Sequence, residues 1–429
     1  MGIEGFNPFI AKNAPQANVD ISVIKFANTV IAIDAHNYIY TNMYVSLKQA
    51  LVDVDLRNDP SAEHDNVIKM KTCIKQLLRF ASLLASYSIT PVFVFDGPNI
   101  KGKVVRDERK KRTQKTYEQI ALKTEQLESL DPLERTDDDI QELRRLRGSV
   151  TRVKTDEMEL FKTVLKNVGI PVIQADGDGE HLCCMLVREG LATAVFSRDT
   201  DCMVYGAQFM IKRIKKISSN RYHIFEITQF APILPSLGMS YNTFVDLCIM
   251  ARCDYNINIP KVGIGRAYKY LLKHGSIEHV IEKEGFDAEY LSKDWLNCEQ
   301  CREDFSMRSS VSLLHDESHH GEMPKLVIDK NAIKSDTTRD ILRLYDCDDM
   351  IMLLSSSYHN VSKVLNLDRN LKPLSDSTIS YTKSGKKIIF KKPRKAVEQT
   401  IDEKEEMPVA DDPLEVLKQG SHQDFESYD

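Results

Sequence analysis

The sequence predicts a doubly wound α/β domain, and three observations carry that prediction. Four short apolar runs, Thr29 to Ile33, Thr90 to Phe95, Gly169 to Gln174 and Ala192 to Phe196, have the unbroken hydrophobicity of strands buried on both faces. Helical patterns lie between them at Val67 to Tyr87, Asp156 to Val168 and Glu180 to Glu189. Alternation of this kind builds a parallel sheet with helices on both sides. The third observation is that every run ends in acid.

Taken in order, Ile33 leads into Asp34, Phe95 into Asp96, Gln174 into Asp178 and Glu180, and Phe196 into Asp199 and Asp201. In open α/β sheets the ligand crevice lies beyond the carboxyl ends of the strands. An acid after a strand is commonly only a turn residue or a helix cap. Repetition at every strand is what singles out the set. A seventh acid, Asp254, follows the apolar helical stretch Phe244 to Met250.

Composition narrows the class. The chain has 429 residues, 42% hydrophobic and 28% charged, which excludes a disordered, collagenous or disulfide-scaffold protein. No run approaches the roughly 18–20 apolar residues of a membrane span, and Met1 to Phe9 has no signal-peptide pattern. The expectation is a protein that is not secreted and makes no membrane contact, with its nine cysteines reduced. The net charge of −5 conceals strong segregation. Lys101 to Arg112 holds seven basic residues against two acids, and Lys212, Arg213, Lys215 and Lys216 form a second cluster. Glu398 to Asp429 carries eleven acids and two lysines, a balance of −9, so the remaining body is about +4.

Seven carboxylates in one crevice repel one another by about 1–4 kcal/mol per pair at ~4 Å. Either several are protonated or cations are bound. A donor set without His or Cys favours Mg²⁺, with Mn²⁺ as the alternative, over Zn²⁺. Two such ions suit phosphodiester hydrolysis, in which they activate water and stabilise the leaving oxygen.

The motifs Met1-Gly-Ile-Glu-Gly, Ala32-Ile-Asp-Ala, Val94-Phe-Asp-Gly, Gly169-Ile-Pro, Asp178-Gly-Glu, Asp199-Thr-Asp-Cys and Asp254-Tyr, followed by Ile259-Pro-Lys-Val-Gly-Ile-Gly-Arg-Ala, resemble the flap endonuclease (XPG-type) family. They run in the family's order from Met1 to about Ile281. The resemblance implies a PIN-like fold with a helical arch and a helix–hairpin–helix region. It also implies a structure-specific 5′ nuclease using two Mg²⁺ ions. Asp34, Asp96, Asp178 and Glu180 would surround one ion, and Asp199, Asp201 and Asp254 the other. The family usually has Glu at the position of Asp178, so that carboxylate is one methylene shorter here.

In the resembling family the segment after Asp96 caps the site, and an arginine and a lysine reach the scissile phosphate. Arg106 matches the arginine, and the lysine is either Lys101 or Lys103. Arg109 and Lys110 extend the basic face. Gln114 to Lys154 is polar and helical, broken at Asp131-Pro132, and is long enough for an arch or for a surface hairpin without a substrate role. Lys261, Gly263, Gly265 and Arg266 fall in the hairpin, where glycines let the backbone approach a phosphate. Lys261 and Gly265 depart from the family's usual glycine and lysine, and Ile264 stands for its usual proline. Gly2 belongs to the N-terminal motif, and Tyr40 falls where the family stacks an aromatic on a base.

Cys298, Cys301, His315 and His319 have the spacing C-x₂-C-x₁₃-H-x₃-H, with three residues between the second cysteine and Phe305. Two thiolates and two imidazoles suit a structural Zn²⁺; the plain alternative is two reduced cysteines beside a His-rich loop. The expected divisions are an N-terminal nuclease region at 1–100, an arch at 101–155, an internal nuclease region at 156–260 and a helix–hairpin–helix element at 255–290. A zinc insertion at 291–325, a helical region at 326–375 and a basic then acidic, disordered tail at 376–429 complete them. Gln399-Thr-Ile-Asp lacks a sliding-clamp peptide, so clamp binding is not expected.

The function expected is a Mg²⁺-dependent 5′ flap endonuclease and 5′→3′ exonuclease. It would act as a monomer on branched DNA with a 5′ single-stranded flap, in the nucleus or at another intracellular site of replication. The rivals are an exonuclease on nicked or recessed ends, an RNA-directed relative, and an inactive junction-binding scaffold.

Overall fold

A computed structural model describes residues 2–98, 105–216, 223–306, 326–332, 335–345, 347 and 349–359. The tail from 376 and both His315 and His319 lie outside these residues, as do Lys101 and Lys103.

Seven strands form one sheet in the order β1-β7-β6-β5-β2-β3-β4. They are β1 (Asn18–Ser22), β2 (Val30–Asp34), β3 (Thr90–Phe95), β4 (Val172–Gln174), β5 (Ala194–Phe196), β6 (Phe209–Lys216) and β7 (His223–Gln229). The five from β6 to β4 are parallel, and β7 and β1 add an antiparallel edge. The expected doubly wound core is therefore present, with the four acid-tipped strands adjacent as β5-β2-β3-β4. Two of these strands start two or more residues later than the sequence suggests. Gly169 adopts a left-handed φ of 79° at a turn, so β4 begins only at Val172, and β5 begins at Ala194. The antiparallel edge escapes the pattern search because β6 is charged: Lys212, Arg213 and Lys215 all pair with Glu226 across the hairpin.

The helices in chain order are α1 (Phe6–Asn13), α2 (Ala35–Val52), α3 (Asn66–Ser86), α4 (Val105–Glu128), α5 (Asp137–Ser149), α6 (Thr155–Asn167), α7 (Gly179–Arg188) and α8 (Asp201–Val204). They continue as α9 (Ile233–Leu237), α10 (Tyr241–Ala251), α11 (Ile264–His274), α12 (Ile277–Lys283), α13 (Cys298–Phe305), α14 (Asp336–Leu344) and α15 (Asp349–His359). The sheet separates two apolar cores. On one face α2, α3 and α6 pack over Ile31, Ile33, Phe93 and Phe95, and α15 lies on α3. On the other, α7 and α10 pack over Ala32, Val92, Val94 and Val195. Opposite faces of one strand serve opposite cores, as the period of two in side-chain direction requires. Among the described residues, no helix is long and apolar enough to cross a membrane.

Candidate active site

Register gathers the acids. β2 pairs with β3 and with β5 in parallel, so Asp34, Asp96 and the segment after Phe196 reach the same edge. Asp34 is buried and ends β2 by capping α2: its Oδ1 accepts the Asn37 N–H at 3.0 Å. Its Oδ2 accepts from the Ser197 hydroxyl at 2.9 Å, and Ser197 Oγ in turn accepts the Asp199 N–H at 3.0 Å. Ser197 is thus a relay holding two acids from different strands. Burial, together with the charges of Asp96 and Asp199, pushes the Asp34 carboxyl up to about 7.

Asp96 is tied to the next element. Its Oδ1 accepts the Gly179 N–H at 2.8 Å, at the first turn of α7, and a β-carbon on Gly179 would stand 2.9 Å from that oxygen. Its own N–H donates to His36 Nδ1 at 3.1 Å. That bond makes Nδ1 the acceptor and leaves the ring proton on Nε2; burial lowers the His36 pKa, and Lys162 works in the same direction. Asp178 precedes α7 and Glu180 lies in its first turn, buried. Tyr255 OH donates to Asp178 Oδ2 at 3.3 Å and meets Tyr205 OH at 2.9 Å, so the two tyrosines form a floor. The Asp199 Oδ1 accepts the Asp201 N–H at 3.1 Å. Asp201 and Asp254 are both buried.

Ser197 joins Asp34 to Asp199, whose carboxylate accepts from Asp201, Gly179 ties Asp96 to the first turn of α7 between Asp178 and Glu180, and Tyr255, next to Asp254 in the chain, reaches Asp178. The chemistry and charge of these acids fit hard divalent cations: every donor is a carboxylate oxygen, and the Asp34 pKa, raised first by burial, is raised further by the charges of Asp96 and Asp199, which a cation would offset. The fit does not extend to a finished cage. Among the described residues, no three Asp, Glu, His or Cys side chains form a ready coordination sphere.

Around this edge, Gly2 has a φ of 84° and abuts Asp199 and Thr200, while the Ile3 N–H donates to Thr200 Oγ1 at 2.8 Å. Tyr40 is 40% exposed on α2. Burial raises its pKa, with Asp96 adding to the rise, and the Val153 backbone hydrogen-bonds to its oxygen. Arg106 and Arg109 lie on α4, and Lys110 on the same helix is exposed.

The hairpin before α11 follows Asp254 in the chain. Lys261 occupies the left-handed region at φ 66°, where the family pattern has glycine, and its carbonyl accepts from Arg266 at 2.8 Å. Gly263 caps α11 and Ile264 takes the first helical position, where proline is favoured. Lys261, Gly263, Gly265 and Arg266 line an open pocket of ≈ 400 Å³ together with Glu4 and Gly5.

Cys298 and Cys301 sit one turn apart on α13, both buried. Burial pushes the Cys298 thiol up to about 12, and Cys301 Sγ lies 4.0 Å from Cys253 Sγ. Phe305 packs on Tyr205 and Tyr255, beneath the carboxylates.

Sequence reasoning missed His36, Ser197 and Gly179. The signal available for each was proximity to an acid, since they stand two residues from Asp34, two from Asp199 and between Asp178 and Glu180.

Comparison with known proteins covers these same segments. The XPG N-terminal domain matches residues 1–119 and the XPG I-region matches residues 169–254. Flap endonuclease 1 of Cryptosporidium muris is 30% identical over 292 residues, 66% of this chain and 58% of the relative. Flap endonuclease 1-A of Oryza sativa subsp. japonica is 28% identical over 297 residues, covering 69% of this chain and 72% of the relative. A solved flap endonuclease-1 from Methanococcus jannaschii is 21% identical, covering 80% of this chain and 96% of that one, with a TM-score of 0.46. The chain spans 58%, 44% and 46% of the length of its Cryptosporidium muris, Plasmodium vivax and Plasmodium knowlesi relatives. The first matched region contains Asp34 and Asp96, the second contains Asp178, Glu180, Asp199, Asp201 and Asp254, and on that pairing the chain belongs to the XPG-type flap endonuclease family.

Proposed function

We propose that this protein is a structure-specific 5′ flap endonuclease with 5′→3′ exonuclease activity, hydrolysing branched DNA as a monomer where DNA is replicated or repaired. The observation that carries the proposal is the meeting of Asp34, Asp96 and Asp199 at one sheet edge, with Asp34 buried and hydrogen-bonded at both oxygens. Two Mg²⁺ ions would be held by Asp34, Asp96, Asp178 and Glu180 on one side and by Asp199, Asp201 and Asp254 on the other. When bound, they supply the Lewis acidity for attack of water on a phosphodiester.

The chain's own residues do the rest. Ser197 and Gly179 fix the carboxylates in place before substrate arrives. Arg106, with Lys101 or Lys103, would steady the scissile phosphate, arginine being suited by its planar fork. Tyr40 offers an exposed ring for a base. The pocket at Lys261 to Arg266 would grip the duplex backbone, so contacts go to phosphates and base faces, and junction shape is read rather than sequence.

The deciding experiment is incubation with end-labelled 5′-flap DNA, with Mg²⁺ and with chelator, beside a gapped duplex and single-stranded RNA. Cleavage at the flap junction that needs Mg²⁺ supports the proposal. Degradation of gapped duplex alone would move the assignment to an exonuclease, and binding without product to a junction scaffold.

A further inference from the structure

The α4–α5 hairpin is fastened to the loop at 53–65 by arginines that donate to backbone carbonyls. Arg135, between the two helices, is 6% exposed. Its Nε donates to Leu127 O at 2.7 Å and its Nη2 to Leu130 O at 2.9 Å. Its Nη1 donates to Asn58 O at 3.2 Å and also to Arg57 O. One guanidinium thus collects Leu127 O from the last turn of α4, which also accepts the Leu130 N–H at 3.2 Å, and Leu130 O just beyond the helix, and joins them to the neighbouring loop. Arg144 donates to Leu51 O at 3.0 Å and Val54 O at 3.2 Å, and Arg147 to Ala62 O at 2.5 Å.

A small core seals the junction: Leu56, Leu127, Ile140 and Leu143 are buried together, with Val54 and Ile120 against them. α5 also lies close on α2, since a β-carbon on Gly148 would stand 3.3 Å from Lys48 Cγ. The other half of α4 differs. Lys110, Lys111 and Arg112 are exposed. A helix of about 36 Å is therefore clamped at its far end and basic at the end that follows Asp96 in the chain.

We propose that Arg135 is a positioning residue. By clamping the end of α4 to residues 57–58 it assembles the arch before substrate binds and aims the basic half of α4 at the carboxylate edge. The arch is then a fixed gateway, and the cost of ordering it is met in folding. Only an arginine reaches both segments at once, because lysine has no planar fork. The activity readout rests on the nuclease proposal above; the exchange readout does not.

The test uses the full chain without DNA and follows amide hydrogen exchange, alongside single-turnover cleavage of 5′-flap DNA and duplex binding in Ca²⁺. In the parent protein, residues 120–149 should be protected. Arg135→Met should raise exchange there about tenfold or more, with β2 and β3 unchanged, and slow cleavage about tenfold while duplex affinity changes less than about threefold. Arg135→Lys should show smaller losses in both, and it serves as the readout should the Met variant fail to fold. Faster exchange with undiminished cleavage would overturn the positioning role. Unprotected 120–149 in the parent, or exchange unaltered by either variant, would overturn the clamp. A parent protein that shows the exchange pattern but cuts no substrate would instead count against the nuclease proposal.

Discussion

Gly2 stands against Asp199 so closely that a β-carbon on it would lie 2.3 Å from the carboxylate Oδ1, with Thr200 Oγ1 at 2.5 Å. Its φ of 84° is also one that side chains resist. Gly2→Ala must therefore push either the N-terminal segment or the acid. The expected outcome is a fall in single-turnover cleavage of about 10²-fold and a higher Mg²⁺ concentration for half-maximal rate. An Ala variant with the parent's Mg²⁺ dependence would show that the contact has no bearing on the carboxylate edge.

The raised pKa of Asp34 sets a pH window. Its folded value of about 7 lies above the ordinary 3.8, so between those values the folded state holds more protons than the unfolded. Stability of the chelated protein should then fall as pH rises from about 4 to 7. Thermal melts in EDTA across that range are the measurement. Asp34→Asn should flatten the slope, and Mg²⁺ should restore stability at neutral pH; a slope of opposite sign would reject the assignment.

Lys261 separates conformation from charge. Relief of its left-handed backbone by Lys261→Gly should stabilise the fold by about 1 kcal/mol, while loss of the cation beside the pocket weakens duplex binding and lowers its salt dependence. Melting temperature and a salt titration of binding read the two effects independently. Loss of stability in the glycine variant would contradict the backbone account.

Arg302 holds α10, α12 and α13 together. Its Nε and Nη2 meet the two oxygens of buried Asp246 at 2.7 and 2.9 Å, and Nη1 meets Glu278 at 2.6 Å. Burial raises the Asp246 pKa even beside this partner. Arg302→Met leaves that carboxylate without its cation and should cost about 3 kcal/mol in denaturant unfolding. Adding Asp246→Asn should recover part of the loss; no recovery would mean that the arginine acts through packing instead.

Much of the fold was legible because buried parallel strands are written as unbroken apolar runs, and because a strand end that turns into acid is visible at short range. The antiparallel edge was not, since β6 carries Lys212, Arg213 and Lys215 and depends for its partner on Glu226 in β7. At the site, the carboxylates could be named one by one, but Ser197 and His36 acquire their roles only through neighbours distant in the chain: 163 residues separate Ser197 from Asp34, and 60 separate Asp96 from His36. Residue type gives no hint of such a partner. The same holds for Arg135, whose acceptors are carbonyls and so leave no trace in composition.

The seating of α15 on α3, with Ser82 and Ser357 hydroxyls 2.5 Å apart, links positions 275 residues distant. During translation, α3 emerges long before the helix that covers it. Nascent chains must shelter that greasy flank until the ribosome has delivered α15, which makes this surface a natural stop for a chaperone and delays closure of this core until well after α3 is made.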